Sequence, residues 1–251
     1  VTKRAAGMSP PRDYLLVAEA KRAAVASKHT LMSTPYRWTQ FDTGGSVNWS
    51  STSNGLAGYT FDEGSAIRQA TATWTNDTGS RINIGYAGTI SSDSGNDSSS
   101  GTHTVIWEDP DSDIAGSFDC GSGGTLAIGG SWYSSTTSSV GGISYKKALK
   151  GYVIVQNGAG CFFADNSGRD GAEVLTHEIG HTLGFGHSCG DNSSCSDPAQ
   201  NEATMRARAH GDGRGAVINA DDRAVAQKVY PAPTSGGGGT TTTPVFKSGF
   251  E

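Results

Sequence analysis

The stretch His177-Glu-Ile-Gly-His-Thr-Leu-Gly-Phe-Gly-His187 constrains this chain more than any other. Two histidines four residues apart fall on one face of a helix, about 6 Å apart along its axis, where two imidazoles can grip one ion, zinc being the expected one. Glu178 is turned roughly 100° from His177, too far round to be an equal third ligand but able to reach a water on the ion, so it is the candidate general base. In a continued helix His187 would lie roughly 240° from His181 and face away, so the chain has to break and fold back. Gly184 supplies the break, because glycine tolerates the left-handed conformation that ends helices, and Gly186 frees the returning chain. Three histidines beside a carboxylate leave a position open for water, whereas a structural zinc closes with four protein ligands. A catalytic site is therefore expected. The rival is a secreted binding or adhesion domain that keeps zinc for stability, and the intact Glu178 argues against it.

These residues resemble the extended zinc motif of the metzincin metalloendopeptidases. Ser188 after the third histidine, and Ala203-Thr204-Met205 with Met205 18 residues beyond His187, resemble the matrixin subgroup and its methionine turn. Asp221-Asp222 leading to Val229-Tyr230 resembles the helix that closes a matrixin catalytic domain. The resemblance covers roughly Tyr36 to Pro231. It implies a secreted zinc endopeptidase acting on protein or peptide substrates. The fold it implies is α+β: a twisted mixed sheet of about five strands, an active-site helix, a second helix packed on the sheet and a C-terminal helix. Met205 would form a hydrophobic floor beneath the metal. Leu126, Ala127, Ile128 and Gly129 would lie on the edge strand above the cleft, where a peptide pairs with free backbone groups. Arg206, Arg208 and Arg214 would wall the pocket beyond the scissile bond, and Asp222 would receive a mature N-terminal ammonium. Matrixins also carry calcium and a second zinc, for which only His103 stands nearby here. Their latency cysteine is not expected, since no cysteine precedes Cys120.

With 251 residues, 35% of them hydrophobic, the chain can build one real core. A net charge of −5, 17% charged residues and no long basic run leave no electrostatic footprint for nucleic acid. No apolar stretch approaches about 18 residues, so no membrane span is expected, and a monomer is. The four cysteines, at 120, 161, 189 and 195, form no Cys-x-x-Cys motif and read as disulfides, Cys120 with Cys161 and Cys189 with Cys195, with free thiols as the alternative. A bridge between Cys189 and Cys195 would pin the chain leaving the site, and its exposed polar loop suits an extracellular setting. Residues 1–33 read as a separate N-terminal segment with an Ala-rich helix from Asp13 to Ser27, either a pro-segment remnant or a helix packed on the domain. Residues 34–231 read as the catalytic domain, and residues 232–251 as a Gly/Thr-rich linker with a short tail.

Within that domain Arg37-Trp38 and Ser46 to Ser50 read as an opening strand. Thr60 and Glu63 have capping-box spacing ahead of Ala66, Ile67, Ala70 and Trp74, a helical pattern. Arg81 to Ala87, Thr102 to Trp107, Gly123 to Tyr133 and Gly151 to Gln156 read as strands. Asp170 with Glu173 places an N-cap before a metal helix starting at Gly171, and Asn219 with Asp222 caps a last helix that Pro231 ends. Asp109, Asp111 and Asp113 alternate in a loop, a spacing that can aim oxygens at calcium, although the EF-hand pattern fails; a solvated acidic turn is the alternative.

Overall fold

The computed structural model describes residues 14–15, 30–93, 95–191 and 194–233. In chain order its elements are β1 (Tyr14–Leu15), β2 (Tyr36–Arg37), a 3-10 turn (Thr39–Thr43), β3 (Val47–Thr52), α1 (Glu63–Thr75), β4 (Ile84–Ile90), β5 (His103–Ile106), β6 (Gly124–Thr125), β7 (Ala127–Val140) and β8 (Ile143–Val155). Then follow α2 (Gly160–Phe163), a second 3-10 turn (Asp165–Gly168), α3 (Arg169–Thr182), α4 (Pro198–Asn201) and α5 (Ala220–Val229). The expected α+β fold is present, with six strands in the main sheet rather than about five. Of the helix expected from Asp13 to Ser27, Tyr14 and Leu15 are instead extended and pair in parallel with Gly124 and Thr125; the rest lies outside the described residues.

The sheet runs β2-β8-β5-β3-β4 with all of these pairs parallel. Both β2 and β5 lie on one side of β8, at Lys146–Lys147 and Tyr152–Ile154, and β7 runs antiparallel along the other. Since β7 pairs only with β8 among the described strands, it is an edge strand, as β4 is at the other end of the sheet. The two strands read from sequence at 123–133 and 151–156 are parts of one long hairpin. Its tip, Gly141-Gly142, has φ of 56° and 80°, the left-handed pair that a two-residue hairpin turn requires. The Ser/Thr run before the tip carries no apolar alternation, which is why no strand is read there from the sequence.

Helix α1 buries Ala66, Ile67, Ala70 and Trp74 on one face, as the periodicity requires, and packs against α3 and β4. Its N-cap is Asp62 rather than Thr60, and Glu63 instead accepts the Leu56 amide at 2.7 Å. The core lies between the sheet and the two helices, built on Trp38, Trp49, Trp74, Phe185 and Tyr230, all 0–1% exposed. Helix α5 begins with the expected capping box between Asn219 and Asp222. Both expected disulfides, Cys120–Cys161 and Cys189–Cys195, are present. No helix among the described residues is long and apolar enough to cross a membrane.

Candidate metal centre

Helix α3 carries His177 and His181 on one face, and the chain turns back at Gly184, where φ is +94°. A methyl group at Gly184 would overlap the Tyr36 carbonyl oxygen, so glycine is required there by space as well as by backbone conformation. The returning chain is held by Thr30–Met32: Leu31 bridges Phe185, the Gly186 amide donates to the Thr30 carbonyl at 3.1 Å, and Thr30 Oγ1 donates to the His187 carbonyl. Gly186 has to lack a side chain because this segment passes over it.

The carbonyls at the end of a helix have no partner within it. Here side chains from other elements supply them. Tyr36 Oη donates to His181 at 2.6 Å, Trp38 Nε1 and Ser131 Oγ to Thr182 at 2.8 and 2.9 Å, and Tyr230 Oη to Leu183 at 2.7 Å. Those donors come from β2 and the residue after it, from β7 and from the end of α5, so three separate elements fix where α3 stops.

The three histidines converge. His177, His181 and His187 are each buried, and one nitrogen from each lies within 4.8 Å of the others. Their second nitrogens are committed elsewhere: His177 Nδ1 to the Thr204 carbonyl at 2.7 Å, His181 Nδ1 to the Phe185 carbonyl at 2.8 Å, and His187 Nδ1 to an Asp191 carboxylate oxygen at 2.9 Å. Carbonyl and carboxylate oxygens only accept, so each Nδ1 carries the hydrogen and each Nε2 keeps a lone pair for a metal. Burial and the neighbouring imidazoles hold His177 well below its ordinary pKa and bring His181 to about 3, so both are neutral ligands at neutral pH. Burial pushes the Glu178 carboxyl well above the usual carboxylate range.

His177 Nε2, His181 Nε2 and both Glu178 oxygens are buried and accept no hydrogen bond from the described residues. Orphaned buried polar atoms are costly, and a cation with its water would satisfy all four. The residues present therefore fit a zinc ion: three imidazole donors, a position left open, and a carboxylate beside it rather than in it.

The chain around the site is built to let its parts touch. A methyl at Gly180 would overlap Met205 Sδ, so the methionine lies directly against the helix between the first two histidines. A methyl at Gly129 would overlap the Glu178 carbonyl, so β7 crosses the helix in close contact at Glu178. Of the residues expected on this strand, Leu126 falls just before it; Leu126 and Ala127 are buried in the core and Ile128 is half-buried. Their side chains form its support.

Asp222 accepts the Thr204, Met205 and Asn219 amides at 2.9, 3.0 and 2.8 Å. Because the Thr204 carbonyl holds His177, this buried carboxylate supports the metal site from behind. Asp170 and Glu173 form no capping box; the N-cap of α3 is Gly168. Both carboxylates are buried and face the loop after the methionine turn. Asp170 accepts the Gly213 amide at 3.0 Å, and Glu173 accepts from the His210 amide and from His210 Nδ1, both at 2.7 Å. Arg214 is paired with Asp212 and Glu202, so its charge is already neutralised within the expected basic wall.

Asp109, Asp111 and Asp113 do not form a three-ligand cluster: Asp109 turns inward, accepting the Asp113 and Ile114 amides at 2.9 Å. Among the described residues only the three histidines come together as a possible metal site. Sequence reasoning missed Asp191, whose signal was its position four residues after His187. It also missed the aromatic clamp on α3, for which spacing gives no signal. No protein-family model matches the chain, and no curated protein matches it either.

Proposed function

We propose that the chain is a zinc-dependent endopeptidase of matrixin-like metzincin type, secreted and monomeric, with residues 34–231 as the catalytic domain and proteins or peptides as substrates. The observation that carries this is the convergence of three imidazoles, each with Nδ1 committed, beside the orphaned buried carboxyl of Glu178. Zinc bound there would polarise a scissile carbonyl and lower the pKa of a water molecule towards neutral. Glu178 takes the water proton and returns it to the leaving amine. The close crossing of β7 over Glu178 supports a substrate laid along the outer side of that strand, paired through its backbone. The two disulfides support an extracellular setting.

The test is hydrolysis of unfolded casein before and after chelation. Cleavage that a chelator abolishes and stoichiometric zinc restores is the expected result. A chain that holds one zinc and cleaves neither casein nor gelatin would instead support the binding-domain reading.

A further inference from the structure

Two of the three histidines are oriented by backbone carbonyls of buried residues, Thr204 and Phe185, which the core fixes. The third is different. His187 Nδ1 donates to a side chain, and the Asp191 carboxylate that receives it is 68% exposed. Core packing therefore does not hold Asp191 in place. Its position is set by the short loop that carries it. The chain turns at Gly190, with φ of 75° and its amide donating to the His187 carbonyl at 3.2 Å, and the Cys189–Cys195 bridge closes the loop around Asp191. The base of the loop is tied down by Ser188 N to the Met205 carbonyl at 2.8 Å and by Gln200 Nε2 to the Ser188 carbonyl at 2.7 Å.

We infer that Asp191 is the positioning residue of the third metal ligand, and that the Cys189–Cys195 bridge acts on metal retention by holding this carboxylate on His187. The inference rests on the zinc-site reading above. Its physical basis is that a partner that fixes the tautomer and basicity of a bound imidazole typically changes metal affinity ten- to a hundred-fold. The bridge, closing a loop over a sequence separation of only 6 residues, constrains the unfolded chain less than Cys120–Cys161 with a separation of 41. Its local effect is then to fix geometry.

The experiment is zinc affinity by competition with a chromophoric chelator, together with the rate of zinc release, for four proteins: wild type, Asp191→Ala, the pair Cys189→Ser/Cys195→Ser, and the triple variant. Asp191→Asn, which keeps an acceptor oxygen without the charge, is run beside them. The inference expects Asp191→Ala to weaken zinc binding ten- to a hundred-fold and Asp191→Asn to fall between it and wild type. The cysteine pair should also weaken binding, with no further loss when added to Asp191→Ala. Zinc affinity unchanged in Asp191→Ala overturns the role of Asp191. Equal, additive losses from the cysteine pair in both backgrounds overturn the role given to the bridge. Because Asp191 is exposed, its variants leave the core intact, and that arm reads out even if the cysteine variant folds poorly. A wild-type chain that takes up no zinc removes the metal-site reading together with this inference. Zinc uptake by the wild type with equal affinity in the Asp191 variants removes this inference alone.

Discussion

At the scale of single residues, the site gathers buried polar atoms that have no hydrogen-bond partner among the described residues. Glu178 is wholly buried, its carboxyl raised well above the ordinary range by burial. An acid whose folded pKa is raised binds its proton more tightly folded than unfolded. In the metal-free chain it therefore costs nothing below its unfolded pKa, near 4.5, and costs up to about 1.4 kcal/mol per pH unit above that. Chelated Glu178→Gln should accordingly unfold at higher urea than chelated wild type at pH 7.5, and at the same urea near pH 4.5. Equal stability at both values would show that the carboxyl is not strained by its burial. The glycines are equally specific. Gly184→Ala puts a methyl onto the Tyr36 carbonyl at φ of +94°, and overpacking plus left-handed strain predicts a loss of about 2–4 kcal/mol. A melting temperature within a degree or two of wild type would contradict this. The pairing of His177 with His181, and the need for a break at Gly184, were legible because helix geometry fixes them. The partners of their Nδ1 atoms were not, since Thr204 comes from a segment 27 positions away and its contribution is a backbone carbonyl with no side-chain signature.

Elements were legible where one local pattern decided them. Ala66, Ile67, Ala70 and Trp74 gave α1 its buried face, and Asn219 with Asp222 gave α5 its cap. The same capping rule misled at Asp170 and Glu173, because those carboxylates reach across to the 210–213 loop instead of their own helix end. Tertiary demand won over local chemistry there. The long β7–β8 hairpin was half read, its apolar roots seen and its Ser/Thr arm missed. Asp222 shows how one carboxylate can link elements, joining the first turn of α5 to the methionine turn through three amides. Burial pushes it up to about 6 even so. Replacing it by Ala leaves those buried donors without an acceptor, so Asp222→Ala should cost about 3 kcal/mol or more and loosen the Thr204 carbonyl from His177. Urea unfolding together with zinc affinity checks both. A variant as stable as wild type would mean the turn holds itself.

Across the whole molecule, three regions distant in sequence meet at the end of α3: Tyr36 and Trp38 from the opening, Ser131 from the edge strand and Tyr230 from the last helix. Helix α3 is thus buried at the centre, with the sheet on one side and Thr204–Met205 against its histidine-bearing face. This convergence explains why a short motif could indicate so much of the chemistry while most of its support stayed invisible in the sequence. The motif fixes donors, and the rest of the chain fixes their positions. The acidic loop at 109–113 shows the reverse case, an alternation of carboxylates that looks like a ligand set until the fold turns Asp109 inward. In the proposed mechanism three imidazoles hold the metal while Glu178 moves the proton without being a ligand. The measurement that tests it most directly is casein hydrolysis by wild type and Glu178→Gln, with zinc content determined on the same samples. About one zinc is expected in each protein, with a loss of activity of several orders of magnitude in the variant. Loss of zinc along with activity would make Glu178 a ligand, and full activity with zinc retained would make it a bystander; either result contradicts the account.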